Sequence, residues 1–321
     1  MADASIGVLL MYYGTPSGPE DVERYYTDIR GGRSPVPQAL ADLQKRYAAI
    51  GNTFPLAEIT RRQAEALEAE LNSLGGPRYR VFLGAKHSPP FVPDAVRAMA
   101  EAGITRGVGL VLAPHYSKMS IGGYVDRARK ARPEGLELDF VESWHLHPAY
   151  LEVLANRVAD VLEDLDPEER DGALVVFTAH SLPARIVDEG DPYPEQLRET
   201  GEAVARRLSL RNWTTGWQSA GRTPEPWLSP PLQETVEKAA ADGYPAILVV
   251  PCGFTADHLE ILYDIDIEAR EVADRAGITL VRTESMNDDP AFIRALAHVV
   301  EHHLEARQEQ AVAREGTWQT S

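Results

Sequence analysis

The sequence predicts an α/β fold with two similar doubly wound domains, each containing a parallel sheet flanked by helices. Short apolar runs that end in Gly, Pro or His alternate with longer amphipathic stretches, which is the pattern of βα units. The order of these runs in the first half of the chain recurs in the second half. With 321 residues, the chain is long enough for two domains of about 150 residues each.

Seven short apolar runs are predicted as strands. They span residues 6–12, 80–85, 107–113, 173–178, 214–218, 246–251 and 279–282. Helices are predicted at 61–74 and 93–102, where apolar residues recur at three- and four-residue spacing, and also at 194–208 and 290–308.

An internal repeat sets the predicted domain boundaries. The segment GVLLMYYGTP (7–16) resembles LVVFTAHSLP (174–183), and two further strand-and-loop pairs follow in the same order. We therefore expect an N-terminal domain at 1–150, joined by the C-terminal helix 290–308, and a second domain at 151–289. The polar residues 309–321 are expected to form a flexible tail.

Composition narrows the classes of function. The 49 acidic and 32 basic residues give a net charge of −17, which repels nucleic acids and anionic lipid surfaces. The single cysteine, Cys252, excludes an intrachain disulfide and any iron–sulfur or metal site built from several cysteines of this chain. No signal peptide and no run of about 20 apolar residues is present, so we expect a cytoplasmic protein without a membrane span.

Polar residues follow the predicted strands, where ligands bind in open α/β sheets. Four of the nine histidines lie at these positions, namely His87, His115, His180 and His258. Each could instead be a polar cap on a strand end. No glycine-rich phosphate-binding motif follows any of the strands, which argues against a nucleotide cofactor.

A row of carboxylates forms the second informative pattern. Glu260, Asp264 and Glu268 recur every four residues, so on a helix they lie on one face about one turn apart. A solvated acidic face would explain them equally well. Their position directly after a strand, among apolar residues, favours a ladder that leads a divalent cation into a pocket.

His180 and Glu260 follow strands of the same half of the chain, so both can face one cleft. A neutral imidazole with a carboxylate can hold a borderline metal weakly or move protons near neutral pH. Structural zinc normally takes four protein ligands, and no closely spaced set of four is present. We therefore expect a transit or catalytic site. Tyrosines on nearby loops could sandwich a planar ligand, although core packing would also account for them.

Many segments of the chain, in order, resemble the ferrochelatases, most closely the soluble coproporphyrin-type enzymes of Gram-positive bacteria. The resemblance extends from about Ser5 to His303. Among the matching segments are MYYGTP (11–16), ERYYTDIRGGR (23–33), FLGAKH (82–87), TAHSLP (178–183) and GFTADHLEILYDID (253–266).

The resemblance implies insertion of Fe²⁺ into coproporphyrin III during haem biosynthesis, in a cleft between two Rossmann-like, chelatase-type domains. It makes His180 the catalytic histidine and Glu260 its partner acid, both handling the metal and the pyrrole protons. It makes Asp264 and Glu268 outer metal-binding residues. It also implies that Fe²⁺ is a substrate and that no cofactor or iron–sulfur cluster is permanently bound.

The resemblance also implies a set of porphyrin-binding residues, which are Tyr13, Arg30, Arg46, Tyr47, Thr53 and Tyr124. One departure from the family pattern is Phe54, which stands where a serine is usual. The hydroxyl contact at position 54 is therefore lost, with Thr53 as the candidate substitute.

Three other functions remain open from the sequence. The substrate could be protoporphyrin IX, the enzyme could insert cobalt or iron into another tetrapyrrole, or the protein could be a non-enzymatic haem or metal carrier. The acidic chain favours coproporphyrin III, which is itself water-soluble. We expect a monomer that contacts neighbouring haem-pathway enzymes only transiently.

Overall fold

A computed structural model of the chain contains two four-stranded sheets in which all strands are parallel. The structure describes residues 5–221 and 223–317, with side chains up to residue 310. The first sheet has the order β2-β1-β3-β4 and the second the order β6-β5-β7-β8. The strands are β1 Ile6–Tyr12, β2 Tyr79–Ala85, β3 Arg106–Val111, β4 Glu137–Val141, β5 Leu174–His180, β6 Trp213–Gln218, β7 Ala246–Val250 and β8 Thr279–Arg282.

Helices connect the strands and cover the sheets. A 3₁₀ turn (Pro19–Asp21) precedes the first α-helix, and a π-helix (Asp264–Ala269) lies between the eleventh and twelfth. The α-helices are α1 Val22–Ile29, α2 Pro37–Ala49, α3 Leu56–Ser73, α4 Val92–Glu101, α5 Ile121–Ala131, α6 Pro148–Asp164, α7 Pro167–Gly172, α8 Arg185–Asp188, α9 Tyr193–Leu208, α10 Leu232–Ala241, α11 Leu259–Leu262, α12 Arg270–Ala276 and α13 Pro290–Thr317.

The two sheets have the same strand order, which confirms the predicted α/β class with two similar halves. In each sheet the chain places its second strand on one side of the first and its third strand on the other. This reversal opens a crevice at the carboxyl ends of β1 and β3 and another at those of β5 and β7. The loops that follow these four strands are therefore free to carry binding residues.

Besides small shifts at the ends of other elements, the structure differs from the sequence prediction in three places. Strand β4 was not predicted because it is a short edge strand that carries the charged Glu137 and Asp139. Strand β5 extends two residues beyond its predicted end at Thr178, so His180 is its last residue. Helix α13 extends past Gln308 to Thr317, where the sequence predicted a flexible tail. The mobility of the tail stays a prediction, and residues 318–321 lie outside the described residues.

A single apolar cluster connects the two sheets. It contains Leu10 of β1 and Phe177 of β5, together with Leu67 of α3 and Phe292 of α13. Helix α13 packs against α3, α6 and β3, so the last helix returns to the first half of the chain. The shared core holds the two crevices in a fixed relation, while the exact domain boundaries remain a prediction. None of the described helices combines the length and the low polarity needed to span a bilayer.

We expect Phe292→Ala to lower the free energy of unfolding by about 3–5 kcal/mol, because this fully buried ring leaves a cavity in the shared core. Urea unfolding followed by tryptophan fluorescence measures the change. The matched control is Val187→Ala, at a site that is 57% exposed, for which a change within about 0.5 kcal/mol is expected. Equal losses in the two variants would contradict the assignment of Phe292 to the core.

Candidate active site

A cavity of about 780 Å³ lies where the crevices of the two sheets meet. Its size falls within the range of about 300–1,000 Å³ that is usual for small-molecule sites. Residues after β1, β2 and β3 line one side, and residues after β5 and β7 line the other. The polar and aromatic lining includes Tyr13, Lys86, His87, His115, Tyr124, Arg127, His180, Tyr193, Glu225, Trp227, His258 and Glu260.

His180 is held in one orientation at the carboxyl end of β5. Its Nδ1 lies 2.5 Å from the carbonyl oxygen of Ser181. A carbonyl only accepts hydrogen bonds, so Nδ1 carries the proton and Nε2 keeps a free lone pair. The hydroxyl of Tyr193 donates to the carbonyl of His180 at 2.9 Å and fixes the backbone. Burial lowers the pKa of His180, so the imidazole is neutral and able to accept a proton or a metal.

Glu260 is the second residue of the short helix α11, in the segment that follows β7. Its Oε2 lies 3.2 Å from Nε2 of His258, and its side chain is 26% exposed. Burial disfavours the charged carboxylate, but the nearby His258, His180 and Arg46 outweigh this effect and place the pKa of Glu260 below its ordinary value. Glu260 is therefore an anion in the cavity wall.

One proton can lie between Nε2 of His258 and the carboxylate of Glu260. Nδ1 of His258 lies 2.8 Å from the carbonyl of Ala256 and donates to it. Its Nε2 and the carboxylate of Glu260 would be two facing acceptors unless a proton or another cation lies between them. This pair can therefore hold a proton and release it within the cavity.

The opposite wall combines aromatic rings with positive charge. The ring of Tyr13 is 41% exposed and contacts His87 edge-on, with 4.7 Å between the ring centroids. Nδ1 of His87 donates to Asp28 at 2.7 Å, and burial lowers the pKa of His87 to about 4. Nζ of Lys86 lies 4.8 Å from the ring centroid of Tyr124. Flat rings here can support a planar ligand.

Lys86 and Arg127 bring two cations to this wall. A guanidinium nitrogen of Arg127 donates to the carbonyl of Lys86. Burial, with the charge of Arg127, lowers the pKa of Lys86 to about 8. Within residues 5–221 and 223–317, neither cation forms a salt bridge, so both can attract an anionic ligand.

The row of carboxylates lies partly on the π-helix. Four residues turn the chain by slightly more than one full turn in an α-helix and by slightly less in a π-helix. The change from α11 to the π-helix therefore keeps Glu260, Asp264 and Glu268 nearly aligned. The predicted common face is present, but a regular α-helix is not.

The carboxylate of Asp264 is occupied by two hydrogen-bond donors. It accepts hydrogen bonds from the guanidinium of Arg46 and from the hydroxyl of Ser219. Burial raises the pKa of Asp264 to about 6, although Arg46 and Ser219 oppose the shift. Glu268, one turn further, is only half-buried and accepts a hydrogen bond of 3.3 Å from Gln233.

The predicted site residues are divided between the cavity and its surroundings. His180, Glu260, Tyr13 and Tyr124 line the cavity. The described lining does not include the other six, which are Arg30, Arg46, Tyr47, Thr53, Asp264 and Glu268. Their binding roles stay predictions.

The region around Phe54 shows what replaces the usual serine. Phe54 stacks on the buried ring of Tyr47, with centroids 4.6 Å apart and 28° between the planes. The hydroxyl of Thr53 donates to the carbonyl of Ile50 at 3.1 Å. Both residues therefore have local partners, and Thr53 is not oriented as a free substitute hydroxyl.

The sequence-based site set omitted His258, Lys86, Arg127 and Trp227, which line the cavity. His258 and Lys86 were noted from the sequence as residues that follow strands, but neither was assigned to the site. Arg127 lies within α5 and Trp227 in a long loop, where no strand-end signal applies. Among the described residues, no three His, Cys, Asp or Glu side chains are arranged to hold a metal ion.

Comparison with known proteins matches nearly the whole chain to one family. A family model described as ferrochelatase matches residues 5–304. The coproporphyrin III ferrochelatase of Anoxybacillus flavithermus is 46% identical over 308 residues, covering 95% of this chain and 98% of the relative. The coproporphyrin III ferrochelatase of Bacillus subtilis is 44% identical over 304 residues, covering 94% of this chain and 98% of the relative.

A solved structure is similar in fold. The sirohydrochlorin chelatase SirB from Bacillus subtilis subspecies spizizenii, in complex with cobalt, superimposes with a TM-score of 0.54 at 14% identity. The match covers 95% of this chain and 98% of that chain. At this identity the likeness shows the fold alone, and it confirms the predicted Rossmann-like, chelatase-type architecture.

We expect Arg46→Met to raise the pKa of Asp264 above about 6, because the substitution removes the positive charge that opposes the effect of burial. An unfolded aspartate releases its proton near pH 4, so folding binds an extra proton between about pH 4 and 6. The free energy of unfolding therefore falls as the pH rises through this window, and the variant extends the fall to higher pH.

Carboxyl ¹³C NMR of Asp264 across a pH titration measures the shift. The matched control is Arg62→Met, which removes the partner of Asp288 at a more exposed ion pair and leaves Asp264 unchanged. A pKa of Asp264 that does not rise in Arg46→Met would contradict the assignment.

Proposed function

Because the chain belongs to the ferrochelatase family, we propose that it inserts Fe²⁺ into coproporphyrin III, a step of haem biosynthesis. It is thus a metal-inserting enzyme of the lyase class. The observation that carries the proposal is the fixed, neutral His180, which shares a cavity of about 780 Å³ with the anionic Glu260. The relatives named coproporphyrin III ferrochelatases support the choice of porphyrin.

Insertion requires two pyrrole N–H protons to leave while one Fe²⁺ enters, so the charge on the ring and metal together is conserved. Nε2 of His180 has the lone pair that can take a proton or a water-shedding metal ion. Glu260 and His258 form the second acceptor: the one proton that they share passes to solvent, and the second pyrrole proton takes its place. Catalysis by this site consists of positioning and proton transfer.

The side of the cavity that is lined by residues after β1, β2 and β3, called here the first-sheet wall, suits the porphyrin. Tyr13 and Tyr124 provide flat surfaces for the macrocycle, and Lys86 and Arg127 provide positive charge toward its carboxylates. Coproporphyrin has four carboxylates, so it benefits more from these cations than protoporphyrin does. Arg30, Arg46, Tyr47 and Thr53 are proposed as further porphyrin contacts from the family resemblance, at positions around the cavity.

The metal route proposed for the second half of the chain runs along Glu268, Asp264 and Glu260. Glu268 is the half-buried outer member, Asp264 is the buried middle member, and Glu260 faces the cavity. Carboxylates at successive turns allow a divalent cation to exchange its water ligands stepwise. In this proposal Fe²⁺ is a substrate that passes through the site.

The remaining parts of the proposal concern the state of the protein. We propose a cytoplasmic monomer without a permanently bound cofactor or an iron–sulfur cluster, which contacts neighbouring haem-pathway enzymes only transiently. Cys252, the one cysteine, is a buried free thiol, which suits a reducing compartment and cannot by itself hold a cluster. Residues of one chain line the cavity, so a second copy is not needed to complete it.

We expect His180→Ala to lower the rate of iron insertion by about 10²-fold or more, because the variant loses the positioned base. Porphyrin affinity should change little, since the imidazole provides only a small part of the contact area. Anaerobic absorbance assays with Fe²⁺ and either coproporphyrin III or protoporphyrin IX measure the rate, and fluorescence quenching measures binding.

His298→Ala is the control for loss of a histidine, at an exposed position on α13. Full activity of His180→Ala would overturn the catalytic assignment. Faster insertion into protoporphyrin IX would overturn the choice of substrate but not the mechanism. Tight porphyrin binding without insertion into either ring would indicate a carrier.

We expect Glu268→Gln to raise the KM for Fe²⁺ while kcat changes little, because this residue meets the ion before the chemical step. Initial rates over a range of Fe²⁺ concentrations at saturating coproporphyrin III give both constants. Glu271→Gln, an exposed acid in the first turn of α12, is the matched control. If the rate of Glu268→Gln depends on the Fe²⁺ concentration as in the native protein, Glu268 is only part of a solvated acidic face.

A further inference from the structure

Three histidines gather on the protein surface outside the cavity lining, where the start of α6 meets α13. His147 directly precedes α6, and His298 and His302 lie on α13. The imidazole rings of His147 and His302 have centroids 5.8 Å apart with 56° between their planes. His298 precedes His302 by four residues, so their side chains leave the same face of the helix one turn apart.

The backbone at these positions is rigid, whereas two of the side chains are free to turn. The amide of His147 donates to the carbonyl of Trp144 at 3.0 Å, and its carbonyl accepts from the amide of Leu151 at 3.0 Å. Helix α13 packs along α6, which fixes the distance between the two elements. His298 and His302 are exposed, so their rings can rotate without displacing core residues.

His147 has a polar atom without a partner. Its Nδ1 is buried and forms no hydrogen bond within the described residues. Buried polar atoms are normally paired, whereas this ring nitrogen has no hydrogen bond from the described part of the chain that would compete with a ligand. Both His302 and His298 lie near enough to His147 to act on it electrostatically.

The neighbouring charges do not provide an alternative role as ion pairs. Across the parts of the chain that the structure describes, none of the three histidines forms a salt bridge with a carboxylate. Asp139, an acid near this part of α13, pairs with Arg307 and acts on His303. The three imidazoles therefore face one another without acidic partners.

We propose that His147, His298 and His302 bind one divalent transition-metal ion of the type that prefers imidazole, such as Zn²⁺, Ni²⁺ or Co²⁺. Two histidines on a tetrahedral zinc, with Zn–N bonds of about 2.0–2.1 Å, have ring centroids roughly 5 Å apart. The observed 5.8 Å between His147 and His302 is close to this separation. The three side chains do not yet converge, so rotation of His298 and His302 completes the site, and water fills the remaining position.

An ion at this site would connect α13 to α6. Both helices belong to the shared core, so metal binding would stabilise the docking of the C-terminal helix by linkage. This surface site is separate from the cavity that contains His180 and Glu260, and it does not depend on the proposed chelatase activity.

Isothermal titration of the full chain with Zn²⁺ alone tests the proposal, using the His180→Ala background to weaken binding in the cavity. We expect one zinc equivalent in that background and a loss of affinity of about tenfold or more when His302→Ala is added. Addition of Zn²⁺ should raise Tm in the His180→Ala protein, and His302→Ala should abolish the increase.

His303→Ala is the matched control, on the next residue of the same helix, and it should retain the zinc equivalent. His298→Ala provides a second variant at an exposed position and should also weaken binding. Iron insertion by His302→Ala in the otherwise native chain should be unchanged. Equal zinc binding with and without His302, or an equal loss in His303→Ala, would overturn the proposal.

Discussion

The polarity of the two parallel sheets is the constraint on which the site depends. Parallel strands place all their carboxyl ends at one edge, and each sheet opens a crevice where its strand order reverses. The apolar cluster shared by both sheets and α13 fixes the relation between the two crevices. His180 reaches the cavity because it is the last residue of β5, and Glu260 reaches it because its segment follows β7.

Charge is distributed unequally across this cavity. The second-sheet wall holds the carboxylate of Glu260 beside His258, while the first-sheet wall holds the cations Lys86 and Arg127. Burial lowers the pKa of His180, so this imidazole is neutral and avoids the cost of a desolvated charge, whereas Lys86, with its pKa lowered to about 8, stays mostly charged near pH 7. In the proposed function, an incoming divalent cation favours one wall, and the carboxylates of a porphyrin favour the other. The two substrates can therefore occupy the cavity together without competing for the same groups.

Local patterns were sufficient to predict most of the fold and the centre of the site. Buried strands such as β1 and β7 are apolar throughout, and both were predicted, whereas β4 carries charges at an edge and was missed. His180 and Glu260 could be identified because the first lies at the end of a strand and the second in the segment after one. Arg127 could not, because its role depends on how α5 packs beside Lys86. The pairing of Arg46 with Asp264 joins residues 218 positions apart, and no local pattern indicates it.

Because of that long-range pair, the three carboxylates of the row differ in whether they are exposed or already have a partner. Glu268 is half-buried, and Glu260 is open to the cavity, but Asp264 between them is occupied by Arg46 and Ser219. The guanidinium of Arg46 also lies 4.8 Å above the ring of Tyr263, which holds it beside the π-helix. On the proposed metal route, a cation that moves from Glu268 to Glu260 therefore replaces the positive charge of Arg46 at Asp264. Because one cation substitutes for another, the buried carboxylate need not become an unpaired charge during the passage.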